Sequence, residues 1–178
     1  MRGAPQRPAR TPPSAATPRP EPVTTPTAAD LHAALLGRGE TVAAAESLTA
    51  GLFCATLAGV PGASATLRGG AVVYATDLKA TLAGVDADLL SRVGPVARET
   101  AAALAEGIAA RCGATWGVGL TGVAGPDPVD DHPPGTVFLG LAGPGGTIVS
   151  LLRLTGDRAA VREATVQAAV AGLLDRLG

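Results

Sequence analysis

Two rhythms of apolar and polar positions divide this chain. A compact apolar run at Thr41–Ala45 reads as a buried strand that ends abruptly in Glu46-Ser47-Leu48-Thr49. Small residues from Ala50 to about Ala58 then read as a helix, closed by the turn Gly59-Val-Pro-Gly62. Ahead of this strand, Asp30 is expected to cap a short helix from Leu31 to about Leu36, stopped by Gly37 and Gly39. Behind it, Ser64 to Gly70 carries neither rhythm, and Gly70–Tyr74 is a short β-type run. Asp77–Ala83 and Asp86–Arg92 read as short helices ending at Gly84 and Gly94-Pro95.

The second half is more regular. Arg98–Arg111 is predicted helical, with Ala101, Leu104, Ala105 and Ile108 on one face. Trp116–Leu120 reads as a buried strand running into Thr121-Gly-Val-Ala-Gly-Pro126, and Asp127–Pro134 as a polar loop. The strands Thr136–Ala142 and Thr147–Leu154 flank Gly143-Pro-Gly-Gly146, a hairpin signal, before a long helix from Asp157 to about Leu177. Strands alternating with helices, plus one hairpin, predict a single-domain three-layer α/β/α sandwich with a mixed, mostly parallel sheet.

That domain is expected over residues 30–178. Residues 1–27 hold eight of the fifteen prolines, mixed with Ala, Thr and Arg. Such a segment buries too little apolar surface to offset its ordering entropy, so residues 1–29 read as a disordered, partly polyproline-II tail. Hydrophobic residues make up 47% of the chain but aromatics only 2%, so the core must be built from Ala, Val and Leu. Twenty-four glycines and Ala-rich helices imply close backbone packing. Net charge is −1, and residues 30–178 hold ten basic against fourteen acidic side chains, which argues against a nucleic-acid partner. Cys54 and Cys112 form no metal-spaced pair and are too few for a disulfide scaffold; with no apolar run of membrane-spanning length and no signal-peptide core, the chain reads as cytoplasmic.

Three features carry chemistry. Ser47 sits where a strand delivers a hydroxyl to the mouth of a helix, whose free N–H groups suit an anion or a developing oxyanion. A hydroxyl there also serves as an ordinary helix cap. Lys79 is the one lysine among fourteen basic residues, and Tyr74 the one tyrosine. Arg stays protonated, whereas a partly buried Lys can lose its proton, so a lone Lys fits a base that Arg cannot replace. A Ser–Lys arrangement assisted by a Tyr hydroxyl is chemically sound, while His32 and His132 are not placed convincingly for a Ser–His pair. The short-chain dehydrogenase reading of Tyr and Lys fails for want of the right spacing and of a glycine-rich dinucleotide loop. The Thr121–Pro126 turn lacks a P-loop lysine but offers backbone N–H groups to a phosphate or an oxyanion.

Taken together, the motifs have a likeness. Ala45-Glu-Ser-Leu-Thr-Ala-Gly51 resembles the Ala-Glu-Ser-Cys-Thr-Gly-Gly signature of the CinA C-terminal domain, the family of nicotinamide-nucleotide amidohydrolases. Gly69-Gly-Ala-Val-Val-Tyr74, Lys79, Gly94-Pro-Val96, Thr121-Gly-Val-Ala-Gly-Pro126, Gly156-Asp-Arg158 and Val161-Arg162 resemble its further landmarks, in order. The resemblance covers about residues 30–178 and is to the stand-alone (PncC-type) form.

It implies hydrolysis of nicotinamide mononucleotide to nicotinate mononucleotide and ammonia, a step of pyridine nucleotide salvage, with no metal and no cofactor. By motif position, Ser47 is then the nucleophile, Lys79 its base and Tyr74 a polarising or relaying group. Glu46, Thr49, Ala50, Gly51, Gly70, Thr121, Gly122, Ala124, Gly125 and Arg158 fall in the substrate and oxyanion set, with Gly122, Gly125 and Arg158 as candidates for the 5′-phosphate. Leu48, Ala50 and Thr76 depart from the family pattern, which has Cys, Gly and Asn there, and an added methyl at Ala50 is expected to crowd a ligand. Two other readings follow: a pyridine-nucleotide-binding module with weak or no turnover, and an interaction protein in a competence or DNA-damage context. A small-molecule nucleotide is the expected partner, with no nucleic acid and no membrane, and a homodimer or higher homo-oligomer is expected on the habit of small α/β enzymes.

Overall fold

A computed structural model describes residues 25–178; the Pro-rich segment read as a tail lies mostly outside them. Six helices and five strands follow in the order α1 (Ala28–Arg38), β1 (Val42–Glu46), α2 (Leu52–Ala58), β2 (Leu67–Val72), α3 (Thr76–Ala83), α4 (Ala87–Val93), α5 (Arg98–Cys112), β3 (Trp116–Gly122), β4 (Thr136–Gly143), β5 (Gly146–Arg153) and α6 (Arg158–Leu177), with a 3-10 turn at Ala63–Ala65 before β2. The sheet order is β2-β1-β3-β4-β5. β1 pairs in parallel with both β2 and β3, whereas β4 is antiparallel to β3 and to β5. Four strands therefore run one way and β4 alone runs against them.

The helices divide between the two faces. Val42 and Ala44 of β1 join Val118, Leu120, Val137 and Leu139 in a core covered by α1, α2 and α6. Ala43 and Ala45 point to the other side, where they meet Val73, just beyond β2, and Ala83, Leu90, Leu104 and Ile108 of the α3–α5 layer. The result is the three-layer α/β/α sandwich that the alternation of elements implies. From β1 the chain crosses through α2 to β2 on one side, then returns through α3–α5 to β3 on the other. The carboxyl end of β1 is thus the point where strand order reverses, and open α/β sheets leave their ligand crevice there.

Several boundaries differ from expectation, each for a local reason. α1 begins at Ala28 because Thr27 is its cap; Asp30 lies inside the first turn and closes a capping box, its carboxylate accepting from the Thr27 N–H at 2.8 Å. α2 begins at Leu52 because Ala50 and Gly51 both take left-handed backbone conformations. β2 lies earlier than the predicted run, and Tyr74 stands beyond its end. β3 continues to Gly122, so Thr121 and Gly122 pair with Phe138 and Val137 rather than forming a turn.

The close packing expected from the glycines is concentrated under α5. A Cβ on Gly117 would stand 1.9 Å from the Ala105 carbonyl oxygen, on Gly119 2.3 Å from that of Ala101, and on Gly140 2.2 Å from the same oxygen. At these three positions the sheet beneath α5 is bare backbone, and the helix rests directly on it. On its other flank, a Cβ on Gly107 of α5 would meet the Ala83 carbonyl of α3 at 1.8 Å. Helix backbone cannot yield as a side chain does, so Gly119→Ala is expected to destabilise the protein by about 1–3 kcal/mol. Gly37→Ala, in a helix with nothing within 4 Å of the new methyl, should stabilise it by about 0.5–1 kcal/mol. Urea denaturation of both variants checks the opposite signs.

Candidate active site

Ser47 follows the last residue of β1 at the reversal point, and its N–H still donates to Leu120 O of β3 at 2.9 Å. Beyond it the chain turns sharply, with the Ala50 N–H returning to Ser47 O at 3.1 Å. The adjacent Glu46 side chain is buried and points away from the crevice into the start of α2. One carboxylate oxygen accepts from the Gly51 and Phe53 N–H groups at 3.0 Å each, and the other from the Cys54 N–H at 2.9 Å. The mouth of α2 is therefore filled by Glu46. This corrects the expectation that its N–H groups are free for an oxyanion, and it makes Glu46 and Gly51 parts of a helix cap rather than of a ligand site. Burial, with the Glu46 carboxylate next in effect, pushes the Cys54 thiol up to about 12; it stays a thiol and packs against the core.

Lys79 reaches the same point from α3. Its side chain is 1% exposed, and its amine donates to Ser47 Oγ at 2.9 Å and to Val73 O at 2.7 Å. Both acceptors are uncharged. Among the described residues the one ion pair is Arg38–Glu40, on the surface. With no carboxylate to hold its charge, burial lowers the Lys79 amine from its ordinary 10.5 to about 8. A fraction near a tenth is then neutral at pH 7, and that form can accept the Ser47 hydroxyl proton across the existing contact. Neither histidine competes: His32 Nδ1 lies 2.8 Å from Thr66 Oγ1, and the His132 ring packs edge-on against Phe138.

Ser47 and Lys79 open into a cleft of about 220 Å³ lined also by Tyr74, Thr121, Gly122, Ala124, Gly125 and Arg158. Of the predicted set, Glu46, Thr49, Ala50, Gly51 and Gly70 do not line it. Gly70 is needed elsewhere, since a Cβ there would stand 2.5 Å from Cys54 Sγ and 2.7 Å from Ala44 O. The Ala50 methyl does not crowd the cleft; its cost is a backbone with φ +50° on a residue that has a Cβ.

Two expected roles shift. The Thr121 hydroxyl is buried and donates to Pro95 O at 2.6 Å, tying the Gly94–Val96 segment to the cleft instead of donating to an oxyanion. The Tyr74 hydroxyl accepts from Arg158 Nη2 and makes no hydrogen bond to Ser47 or Lys79 among the described residues, so the structure does not place it as a proton relay between them. Arg158 Nη1 also donates to Gly125 O at 2.9 Å, which leaves a cation at the cleft mouth with only neutral partners. The N–H groups of Leu48, Thr49, Ala124 and Gly125 make no hydrogen bond among the described residues. Sequence reasoning passed over Pro95, Val96, Asp127 and Val129 as lining residues; Gly94-Pro-Val96 was visible only as a helix stop and a family landmark. No group of three or more His, Cys, Asp or Glu among the described residues is placed to hold a metal, and no helix among them is long and apolar enough to cross a membrane.

The buried amine predicts a pH-dependent stability. Because the folded value lies below the unfolded one, the unfolded chain holds more protons between pH 8 and 10.5, and stability rises with pH through that window. Below it the full penalty applies, on the order of 3 kcal/mol. Lys79→Met removes the penalty and leaves Val73 O without its donor, at a cost of about 1–3 kcal/mol. Denaturation across pH should show the variant's stability relative to wild type highest below pH 8 and falling as pH rises to 10.5. Ala50→Gly should stabilise by up to about 1 kcal/mol through relief of the left-handed backbone, read in the same experiment.

Residues 24–177 match the family model of the CinA C-terminal domain. The chain is 52% identical over 136 residues to a CinA-like protein of Frankia casuarinae, covering 76% of this chain and 31% of that one. It is 47% identical over 134 residues to a CinA-like protein of Acidobacterium capsulatum, covering 75% and 32%. The chain thus spans about a third of the length of these curated relatives. Among solved structures, a competence-damaged protein (CinA) superfamily protein from Enterobacter cloacae superposes with a TM-score of 0.84 at 26% identity, covering 92% of this chain and 99% of that one. A competence/damage inducible protein from Agrobacterium tumefaciens gives 0.77 at 32% identity, covering 83% and 94%. The family model takes in nearly every described residue, including the strand that carries Ser47 and the helix that carries Lys79, and the chain belongs to the CinA C-terminal domain family.

Proposed function

We propose that this domain is an amidohydrolase that converts nicotinamide mononucleotide to nicotinate mononucleotide and ammonia through an acyl-enzyme on Ser47. The observation that carries the reading is the 2.9 Å contact between a buried, carboxylate-free Lys79 amine and the Ser47 hydroxyl. The substrate class rests on the motif resemblance, and the unpaired Arg158 cation at the cleft mouth suits a phosphate.

In the first step Ser47 Oγ bonds to the amide carbon, its proton passes to neutral Lys79, and the carbonyl π electrons move onto oxygen. The unpaired N–H of Leu48, a residue that lines the cleft, serves that developing charge as an oxyanion donor. Collapse of the intermediate breaks the C–N bond, and the Lys79 ammonium returns its proton to the leaving nitrogen, which departs as ammonia. A water molecule then attacks the ester carbon, its proton goes to Lys79, and Ser47 leaves with that proton restored. Lys79 acts as base and acid in turn, a role that an amine near pH 8 can fill and a guanidinium cannot. Tyr74, held by Arg158, forms part of the cleft mouth.

The binding-module reading loses its steric motive, because Ala50 lies outside the cleft; Thr76 lines the cleft and still differs from the family pattern. The competence and damage names of the similar proteins support a second reading, an interaction protein that works through its Pro/Arg-rich N-terminal segment in a competence or DNA-damage context. Removal of residues 1–27 separates that reading, since the enzymatic one expects unchanged turnover.

The deciding measurement is ammonia release from nicotinamide mononucleotide. Wild type should release it, Ser47→Ala and Lys79→Arg should lose at least about a thousandfold in kcat, and wild-type kcat/KM should rise with pH along a limb near 8. Binding without release by wild type would replace the enzyme with the binding module; release that survives Ser47→Ala would discard this mechanism.

A further inference from the structure

We infer that Arg162 is a positioning residue for the nucleophile, holding the backbone after Ser47 so that the unpaired N–H of Leu48, which lines the cleft, stays in place as an oxyanion donor. This rests on the reading of Ser47 as the nucleophile. Arg162 Nε donates to Leu48 O at 3.0 Å, and its Nη2 to Thr49 O at 2.8 Å, across 114 and 113 residues of sequence. Two carbonyls in succession are thus gripped by one rigid fork. In a planar trans peptide the N–H points opposite to the C=O, so holding the Leu48 and Thr49 carbonyls fixes the planes of the two peptides that follow Leu48 and anchors that residue, whose own N–H belongs to the Ser47 peptide. The Leu48 and Thr49 N–H groups have no hydrogen-bond acceptor among the described residues.

Charge adds to the geometry. Arg162 has no carboxylate within ion-pair distance among the described residues, so its charge falls on the two carbonyls and polarises the peptides they belong to. On the other side of the loop, Glu46 takes the N–H groups of Gly51, Phe53 and Cys54. The turn carrying Ser47 is therefore gripped by an anion on its later N–H groups and by a cation on its earlier carbonyls, which leaves only the N–H groups beside Ser47 free. Arg158, one helical turn before Arg162, grips the opposite wall through Gly125 O. The start of α6 thus fixes both walls of the cleft.

The test uses a fluorophosphonate probe, which needs the nucleophile and the oxyanion donors but no amide. Ser47 Oγ forms a bond to phosphorus, fluoride leaves, and the hydroxyl proton goes to Lys79, while charge develops on the phosphoryl oxygen. Labelling rates are read by intact mass for wild type, Arg162→Gln and Arg162→Lys, alongside kcat and KM for ammonia release. Arg162→Gln is expected to slow labelling and kcat about a hundredfold with KM little changed, and the pH limb near 8 should stay where Lys79 sets it. Arg162→Lys should recover only part, because an ammonium is a point charge without the fork. A folded Arg162→Gln that labels within about twofold of wild type overturns the inference, as does a loss accompanied by a moved pH limb, which would signal disruption of the Ser47–Lys79 contact itself. Should that variant fail to fold, Arg162→Lys decides: a wild-type rate overturns the inference, and a slowed rate with an unmoved limb supports it. Wild type that labels at Ser47 but releases no ammonia removes the substrate assignment and leaves Arg162's role standing; wild type that does not label removes both.

Discussion

The position of α5 on the sheet is the constraint from which the site follows. At Gly117, Gly119 and Gly140 no side chain stands beneath this helix, so there its backbone lies against β3 and β4. Gly107 on its other flank lets α3 approach as closely, with the Ala83 carbonyl occupying the space of an absent Cβ. α3 carries Lys79. The depth at which α5 sits therefore decides how far α3 reaches over the end of β1, and hence whether the amine arrives within hydrogen-bond distance of Ser47. A chain with so few aromatic residues cannot wedge its layers apart with large rings; it brings backbones together instead, and van der Waals contact accumulates over the whole interface.

Within that frame, two buried charged residues meet at the same strand end and are treated in opposite ways. Glu46 is surrounded by three N–H donors from the start of α2. Each donor would otherwise lack a partner at a helix terminus, so the carboxylate and the helix satisfy one another. Lys79 receives only a hydroxyl and a carbonyl, which compensate its hydrogen-bonding capacity but not its charge. The first arrangement makes a fixed structural joint. The second leaves a group whose proton is loosely held at neutral pH, which is the property proton transfer requires. The structure accepts an uncompensated burial at Lys79 and none at Glu46, and the proton-transfer role proposed for Lys79 draws on that incomplete compensation.

The clefts of open α/β sheets need walls as well as a floor. Here the walls are the turn after Ser47 and the segment after β3, and both are tied to the first two turns of α6 by arginines that find carbonyls instead of carboxylates. Such contacts fix backbone direction without neutralising the cation. Arg158 therefore remains a source of positive potential at the mouth, where Tyr74 also rests against it, and Arg162 polarises the peptides beside Ser47.

Much of this was legible in the sequence, for reasons that lie in local periodicity and composition. The strand before Ser47, the regular helix α5, the β4–β5 hairpin and the long last helix each depend on the spacing of apolar residues and on turn chemistry within a short window. A lone lysine in an arginine-using chain marked the base candidate because Arg cannot do that chemistry. What tertiary structure alone decided was partnership. Glu46 looked like part of a ligand signature and proved to cap the next helix, because a strand-end carboxylate reaches forward over a turn whose left-handed residues no periodicity reveals. Tyr74 stands five residues before Lys79, yet its hydroxyl lies against Arg158, 84 residues away. Thr121 faces Pro95 and Arg162 faces Leu48 for the same reason. Which donor meets which acceptor is set by how layers stack across the sheet, and that distance is not written in any stretch of chain short enough to read.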